Sequence, residues 1–300
     1  MAMTRTSFAP LLRPDVYRWI IETGRERPPE FPQFLNVIDM PANPVTDRQI
    51  TGLGVLQPMP EGEEFPTDQA ILGGAKDYEA VPWGLMCEFT YPMWKDDQYG
   101  IMYEEAGELA RSSRYKAESD AWRPLNSAFD TTVVGFTASE SLCSTSHVGL
   151  DGATRANRPN PDTGFSVLAV QGAIIRFENM TNERGQPRLI APTMALVAPE
   201  NKFVAREVLG SAGVPYSANN EQNSLLEDEL RWMVVHYFTL AKQWFIACSQ
   251  GIHDINFMFR DRPIFDVFDH PLSKNVMATV YQRHIPGFGT WRGIDGSNGG

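Results

Sequence analysis

The sequence predicts an α+β fold, and three observations carry that prediction. Residues 92–129 hold one long helical period, and the segments on either side are short β-branched and aromatic runs punctuated by Gly, Pro, Asn and Asp. The first 45 residues are instead an arm broken by prolines, with little core of its own.

Taken in order, Pro14 to Ile21 reads as a short helix, with Pro14 in its first turn and Val16, Tyr17, Trp19, Ile20 and Ile21 covering much of its surface. Pro28, Pro29, Pro32, Pro41 and Pro44 then keep the chain extended. Residues 46–93 combine Gly52, Gly54, Gly62, Gly73, Gly74 and Gly84 with short apolar runs, Leu53 to Leu56 and Trp83 to Phe89. That pattern predicts a long hairpin with the acidic PEGEEF stretch (60–65) in its loop. So few apolar residues make the hairpin marginal alone, so it needs a partner surface.

In the long helix, Met102, Ala106, Leu109, Ser113, Ala117 and Ala121 recur at steps of three or four, giving a narrow small-residue face over about six turns. Asp96 and Asp97 are the expected caps, and Pro124 the expected stop or kink. Beyond it, Thr131 to Phe136 suits a strand, Ser139 to His147 a strand and turn, and Gly149 to Gly164 a loop. Phe165, Leu168, Ala169, Gly172 and Ile175 predict a second helix capped by Asp162. Asn182 to Pro187 is turn chemistry, Met194 to Ala198 a buried strand, and Glu200 to Leu209 a third helix ending at Gly210. Alternation over Leu230 to Phe238 predicts a strand, and Trp244–Ala247, Ile255–Phe259, Ile264–Phe268 and Val276–Arg283 continue a mostly antiparallel pattern before a Gly/Ser tail.

The net charge of −11 comes with no basic patch, which argues against sequence-specific nucleic-acid binding. Twelve acidic residues against Lys76 and Lys95 put −10 of that charge in residues 61–108. Three dispersed cysteines signal neither disulfides nor zinc and fit a reducing compartment. No apolar leader or membrane-length run is present, so no membrane association is expected and Asn179-Met180-Thr181 reads as a chance glycosylation match.

Cys143 and His147, four apart, are the one candidate nucleophile and base, opposed by a Ser-Thr-Ser insert that suggests a strand or turn. Asp151, Asn157, Asn160 and Asp162 offer oxygen ligands without EF-hand spacing. Phosphate-loop, dinucleotide and nucleophile-elbow motifs are missing from the sequence. Neither an enzymatic activity nor a cofactor or metal is expected.

The order of features resembles the major capsid proteins of tailed bacteriophages with the Hong Kong 97 type fold, in particular the branch similar to the phage Mu major head subunit. The resemblance is carried by PEGEEFPTDQ (60–69), DDQYG (96–100), GELARSSRYKAESDAWRPLNSAF (107–129), SLCSTSH (141–147), the N-R-P loop (157–159), GQPRLIAPTMALVAPE (185–200), KQWFIA (242–247) and YQRHIPGFGTWRG (281–293). It implies an N-terminal arm (1–45), an extended β-hairpin loop (46–93), a peripheral domain with a long spine helix (94–130 and 271–300), and an axial domain with connecting strands (131–270). It further implies a homo-oligomer, hexameric and pentameric capsomers of an icosahedral head that encloses double-stranded DNA without sequence-specific binding. A separate scaffold protein, a portal and a decoration protein are the implied partners, in a virion assembled in the bacterial cytoplasm. Candidate assembly contacts are Glu61, Glu63, Glu64, Phe65 and Asp68 in the hairpin and Arg13, Arg18 and Trp19 in the arm. Lys76 lies in the hairpin but matches no cross-linking motif. The alternatives are an encapsulin-like compartment shell and a cytosolic Cys/His hydrolase.

Overall fold

The computed structural model describes residues 14–24, 28–96, 101–137, 139–213, 222–273 and 275–300. In chain order its elements are α1 (Pro14–Gly24), β1 (Asn36–Asp39), β2 (Val45–Ile50), β3 (Leu72–Tyr78), β4 (Val81–Phe89), α2 (Tyr91–Asp96), α3 (Ile101–Ala121), α4 (Arg123–Asn126), β5 (His147–Val148), β6 (Thr154–Arg155), α5 (Val167–Glu178), β7 (Met194–Val197), α6 (Lys202–Gly210), β8 (Arg231–Val234), β9 (Trp244–Ala247), β10 (Ile255–Asp269), β11 (Val276–Phe288) and β12 (Ile294–Ser297). They form two units. The first holds the described residues of Met1–Val45, Tyr78–Ala121 and Phe257–Pro286, the second those of Thr46–Asp77, Trp122–Asn256 and Gly287–Gly300. The stretch 271–300, read from the sequence as one part of the peripheral domain, is divided between the two at Pro286 and Gly287.

The first unit is built on α3 and a sheet in the order β1-β10-β11-β4, with β4 antiparallel to β11 from Val276 opposite Phe89 to His284 opposite Val81. All six residues of the expected helix face, Met102 to Ala121, are buried. Ala106, Leu109 and Ala110 pack with Ile20 of α1 and with Val267, Val276, Ala278 and Val280 of the sheet. Small residues allow this close approach. Gly107 is the extreme case, because a Cβ there would fall 3.0 Å from Thr23 Oγ1 and 3.2 Å from Trp19 Nε1 of α1. Ser113, the one polar member of the face, is met by Gln282 of β11, whose Nε2 donates to the Ser113 carbonyl at 3.1 Å while the Ser113 hydroxyl donates to Gln282 Oε1 at 3.1 Å. A buried polar group is thus satisfied rather than stranded.

The start of α3 differs from expectation. Asp96 is the last residue of α2, not a cap of α3, and Asp97 lies outside the described residues. At the other end α3 stops at Ala121 as expected, and Pro124 sits in the first turn of α4, where its missing N–H is not needed.

The second unit centres on a sheet in the order β12-β9-β7-β8. β9 is antiparallel to both β12 and β7, whereas β8 runs parallel to β7, a departure from the antiparallel expectation. All four residues of β9 and Ala195 to Val197 of β7 are buried, which explains their unbroken apolar runs. The Gly/Ser tail is not loose, since Ile294–Ser297 form the buried strand β12. Helix α5 buries Val170, Ala173, Ile174 and Phe177 and leaves the expected Leu168 and Ile175 exposed. Its cap is Ser166, whose Oγ accepts the Ala169 N–H at 3.3 Å; Asp162 pairs with Arg158 instead. The turn at Asn182–Pro187 is present, with Gly185 at φ +77° and the Asn182 carboxamide accepting the N–H of Arg184 and Gln186.

Three strand expectations change. Thr131 to Phe136 forms bends, of Ser139 to His147 only His147 enters a strand, and the alternating run Leu230 to Phe238 shrinks to Arg231–Val234. Ile255–Phe259 and Ile264–Phe268 are one strand, β10.

Candidate functional site

Within the expected hairpin region 46–93, β2 and β3 pair as a two-stranded sheet, whereas the run Trp83 to Phe89 lies in β4, which pairs with β11. The base of the β2–β3 loop is closed by the Thr51 N–H donating to the Ile71 carbonyl at 3.0 Å and the Ile71 N–H donating to Thr51 Oγ1 at 2.8 Å. Between these residues the chain has no regular secondary structure apart from a turn at Glu61 and Gly62. Glu61, Glu63, Glu64, Phe65 and Asp68 are all exposed, and Phe65 and Leu56 are 82% and 96% so. Burying one such side chain is worth about 1.5–3 kcal/mol, and this fold leaves that gain unused. Asp68 is tethered: the Gly54 N–H donates to it at 2.6 Å and Arg184 Nη1 at 2.9 Å, holding its carboxyl below the usual range.

The arm residues belong to the other unit. Arg18 pairs with Glu22 at 2.8 Å on the exposed side of α1, Trp19 is 43% exposed, and Arg13 lies outside the described residues. An apolar surface that the sequence reading did not single out lies on β4. Among the described residues it pairs with β11 alone, as the outermost strand of its sheet, and exposes Val81, Trp83, Leu85 and Met86. The apolar run Trp83 to Phe89 was its signal; the edge position depends on long-range pairing.

Cys143 and His147 do not form a nucleophile–base pair. Burial raises the Cys143 thiol well above its usual pKa, the reverse of what a thiolate needs. His147 is fully buried and stacks on Trp291 with ring centres 4.2 Å apart. Its Nδ1 lies 3.0 Å from Glu140 Oε2 and its Nε2 2.9 Å from Asn157 Oδ1. Burial lowers its pKa, against the pull of those two partners. Asn157 is the hub. Its Nδ2 donates to the carbonyls of Leu142 at 2.9 Å and Ile294 at 3.0 Å, and its Oδ1 also accepts the Ser144 N–H at 2.9 Å. The oxygen-rich loop at 151–162 is likewise committed to the protein itself, Asp151 to Arg155 and Asp162 to Arg158.

Lys76 of β3 donates to the Val134 carbonyl and lies 5.3 Å from the centre of the Phe288 ring. Burial lowers its pKa to about 8 from the ordinary 10.5, with Asp254 opposing the shift. Above about pH 8 the folded state sheds this proton while the unfolded chain retains it up to about pH 10.5, so this residue makes stability rise across that window. Lys76→Met is expected to remove that rise, read as the difference between wild-type and variant urea midpoints from pH 7 to 10.

Among the described residues, no helix is long and apolar enough to cross a membrane, and no cluster of His, Cys, Asp and Glu suits a metal ion. A family model described as phage capsid protein matches residues 74–294. A search of curated proteins finds no match. Among solved structures, the chain is similar to the capsid of a native GTA particle (TM-score 0.58, 12% identity, covering 91% of this chain and 89% of that one). It is also similar to a Microbacterium phage Oxtober96 structure (0.56, 10%, 90% and 91%). A third likeness is to the virus-like particle from Pyrococcus furiosus (0.55, 8%, 94% and 97%).

Proposed function

The chain belongs to the phage capsid protein family, and from that premise we propose that its exposed hairpin loop and arm are the surfaces that join head subunits into hexameric and pentameric capsomers. The protein is a structural subunit of the phage head, with the Hong Kong 97 type fold. The observation that carries the proposal is the loop between β2 and β3, whose Leu56 and Phe65 have no cover in the subunit itself. A closed shell sums many modest contacts, so such segments find their energy in neighbours.

Within this reading Glu61, Glu63, Glu64, Phe65 and Asp68 meet one neighbour through the hairpin, and Arg13, Arg18 and Trp19 meet another through the arm. The unit built on α3 serves as the peripheral domain with its spine helix, and the β12-β9-β7-β8 unit as the axial domain. The order of motifs from PEGEEFPTDQ to YQRHIPGFGTWRG supports placement in the Mu-like branch. Scaffold, portal and decoration proteins are the partners, and assembly proceeds in the bacterial cytoplasm.

Deleting residues 58–70 is expected to leave the subunit's thermal midpoint nearly unchanged while abolishing closed particles in negative-stain images. Normal particles from that deletion would overturn the assignment of the loop. The likeness to the Pyrococcus particle favours a second reading, a compartment shell, and the content of purified particles decides between them: double-stranded DNA for a head, protein cargo for a compartment.

A further inference from the structure

The second unit contains a cleft of about 420 Å³ between β2, the turn at Asn182–Pro187 and the segment 290–292. Arg48, Arg184, Arg188 and Arg292 line it. Arg292 is only 3% exposed, yet its hydrogen bonds are incomplete. Its Nε donates to the Thr181 carbonyl at 2.6 Å and its Nη1 to Glu183, while Nη2 is buried without a partner. Arg184 gives Nη1 to Asp68, and its buried Nε has no partner either. The side chains of Arg48 and Arg188 make no hydrogen bond or ion pair among the described residues, although Arg188 is near enough to depress the pKa of Arg292.

The carboxylates of the cleft do not meet this demand. Glu183 Oε1 is taken by Gln49 and Arg292, Asp254 by the Thr290 N–H at 3.0 Å and Asn256 at 2.9 Å, and Asp47 by the Arg48 N–H at 2.8 Å. A buried guanidinium with an unmet donor is costly, and its planar fork fits the paired oxygens of a carboxylate or phosphate. The cleft has room for such a group with some of its water.

We propose that this cleft is a binding site for a small oxyanion, held by the unpaired side chains of Arg48 and Arg188 in the field of the Arg184 and Arg292 guanidinium groups that line it. The oxyanion is either free phosphate or the carboxylate of a second copy, for which the exposed Glu61, Glu63 and Glu64 offer the complementary charge.

The test uses the unassembled subunit, with chloride replaced by inorganic phosphate or acetate at constant ionic strength and the unfolding midpoint followed. A saturable rise is expected, its apparent dissociation constant weakened about tenfold or more by Arg188→Gln and unmoved by Arg231→Gln on the exposed strand β8. No saturable rise, or an equal rise in Arg188→Gln, would overturn the proposal. Assembled particles separate the sources. A phosphate effect that persists there marks a free ion, whereas one that disappears and returns when Glu61, Glu63 and Glu64 are changed to Gln marks the neighbour's carboxylate.

Discussion

Replacing Ala106 by Asp is expected to leave no cooperatively folded subunit at neutral pH. Ala106 is fully buried against Ile20 and the β10–β11 core, and its side chain is one methyl in a face made of small residues. A carboxylate there has no cation on the apolar surface that covers it, and protonating it would still leave a polar group and excess volume in the core. With total stabilities of about 5–15 kcal/mol, a penalty of several kcal/mol is enough to unfold the chain. Circular dichroism during thermal melting reads the result directly. Ser112→Asp, one turn and a half along on the exposed side of α3, is the control and should stay within about 0.5 kcal/mol of wild type.

Asn157→Ala is the second large effect, for a different reason. The substitution strands the carbonyls of Leu142 and Ile294 and the Ser144 N–H, and it removes the acceptor that fixes His147 against Trp291. Each buried group left without a partner costs about 1–3 kcal/mol, so a loss of about 3–5 kcal/mol is expected in chemical denaturation. Asn157→Asp should fare no better, because a carboxylate cannot donate to the two carbonyls. A variant that melts within 1 kcal/mol of wild type, on the order of a surface substitution, would show that water replaces the amide.

How much was legible follows from the kind of interaction. The buried face of α3 was readable because Met102, Ala106, Leu109, Ser113, Ala117 and Ala121 are flanked by charged residues, so only one face can go inward. Helix α5 was readable as a helix but not as a face. Val170, Ile174 and Phe177 compete with Leu168 and Ile175, and period alone cannot choose between two apolar sides. The exposed hairpin loop was anticipated from its acidic, turn-rich composition. The basic cleft was not, because Arg48, Arg184, Arg188 and Arg292 come from three separate parts of the sequence and meet only when the hairpin folds beside the 182–188 turn. Asn157 looked like a surface-loop residue for the same reason; its partners lie 15 and 137 positions away.

The burial of β12 sets the order of events during synthesis. Ile294–Ser297 supply one outer strand of the second unit's sheet, the Ile294 carbonyl that Asn157 needs, and the Asp295 carboxylate that Arg176 grips through two bonds of 2.7 Å. Until residues 294–297 have left the ribosome, the Arg176 side chain and the open edge of β9 have no native partner, however long residues 122–256 have been available. Long-range closure of this kind is slow compared with helix formation. The second unit's sheet is therefore complete only after translation has passed Ser297.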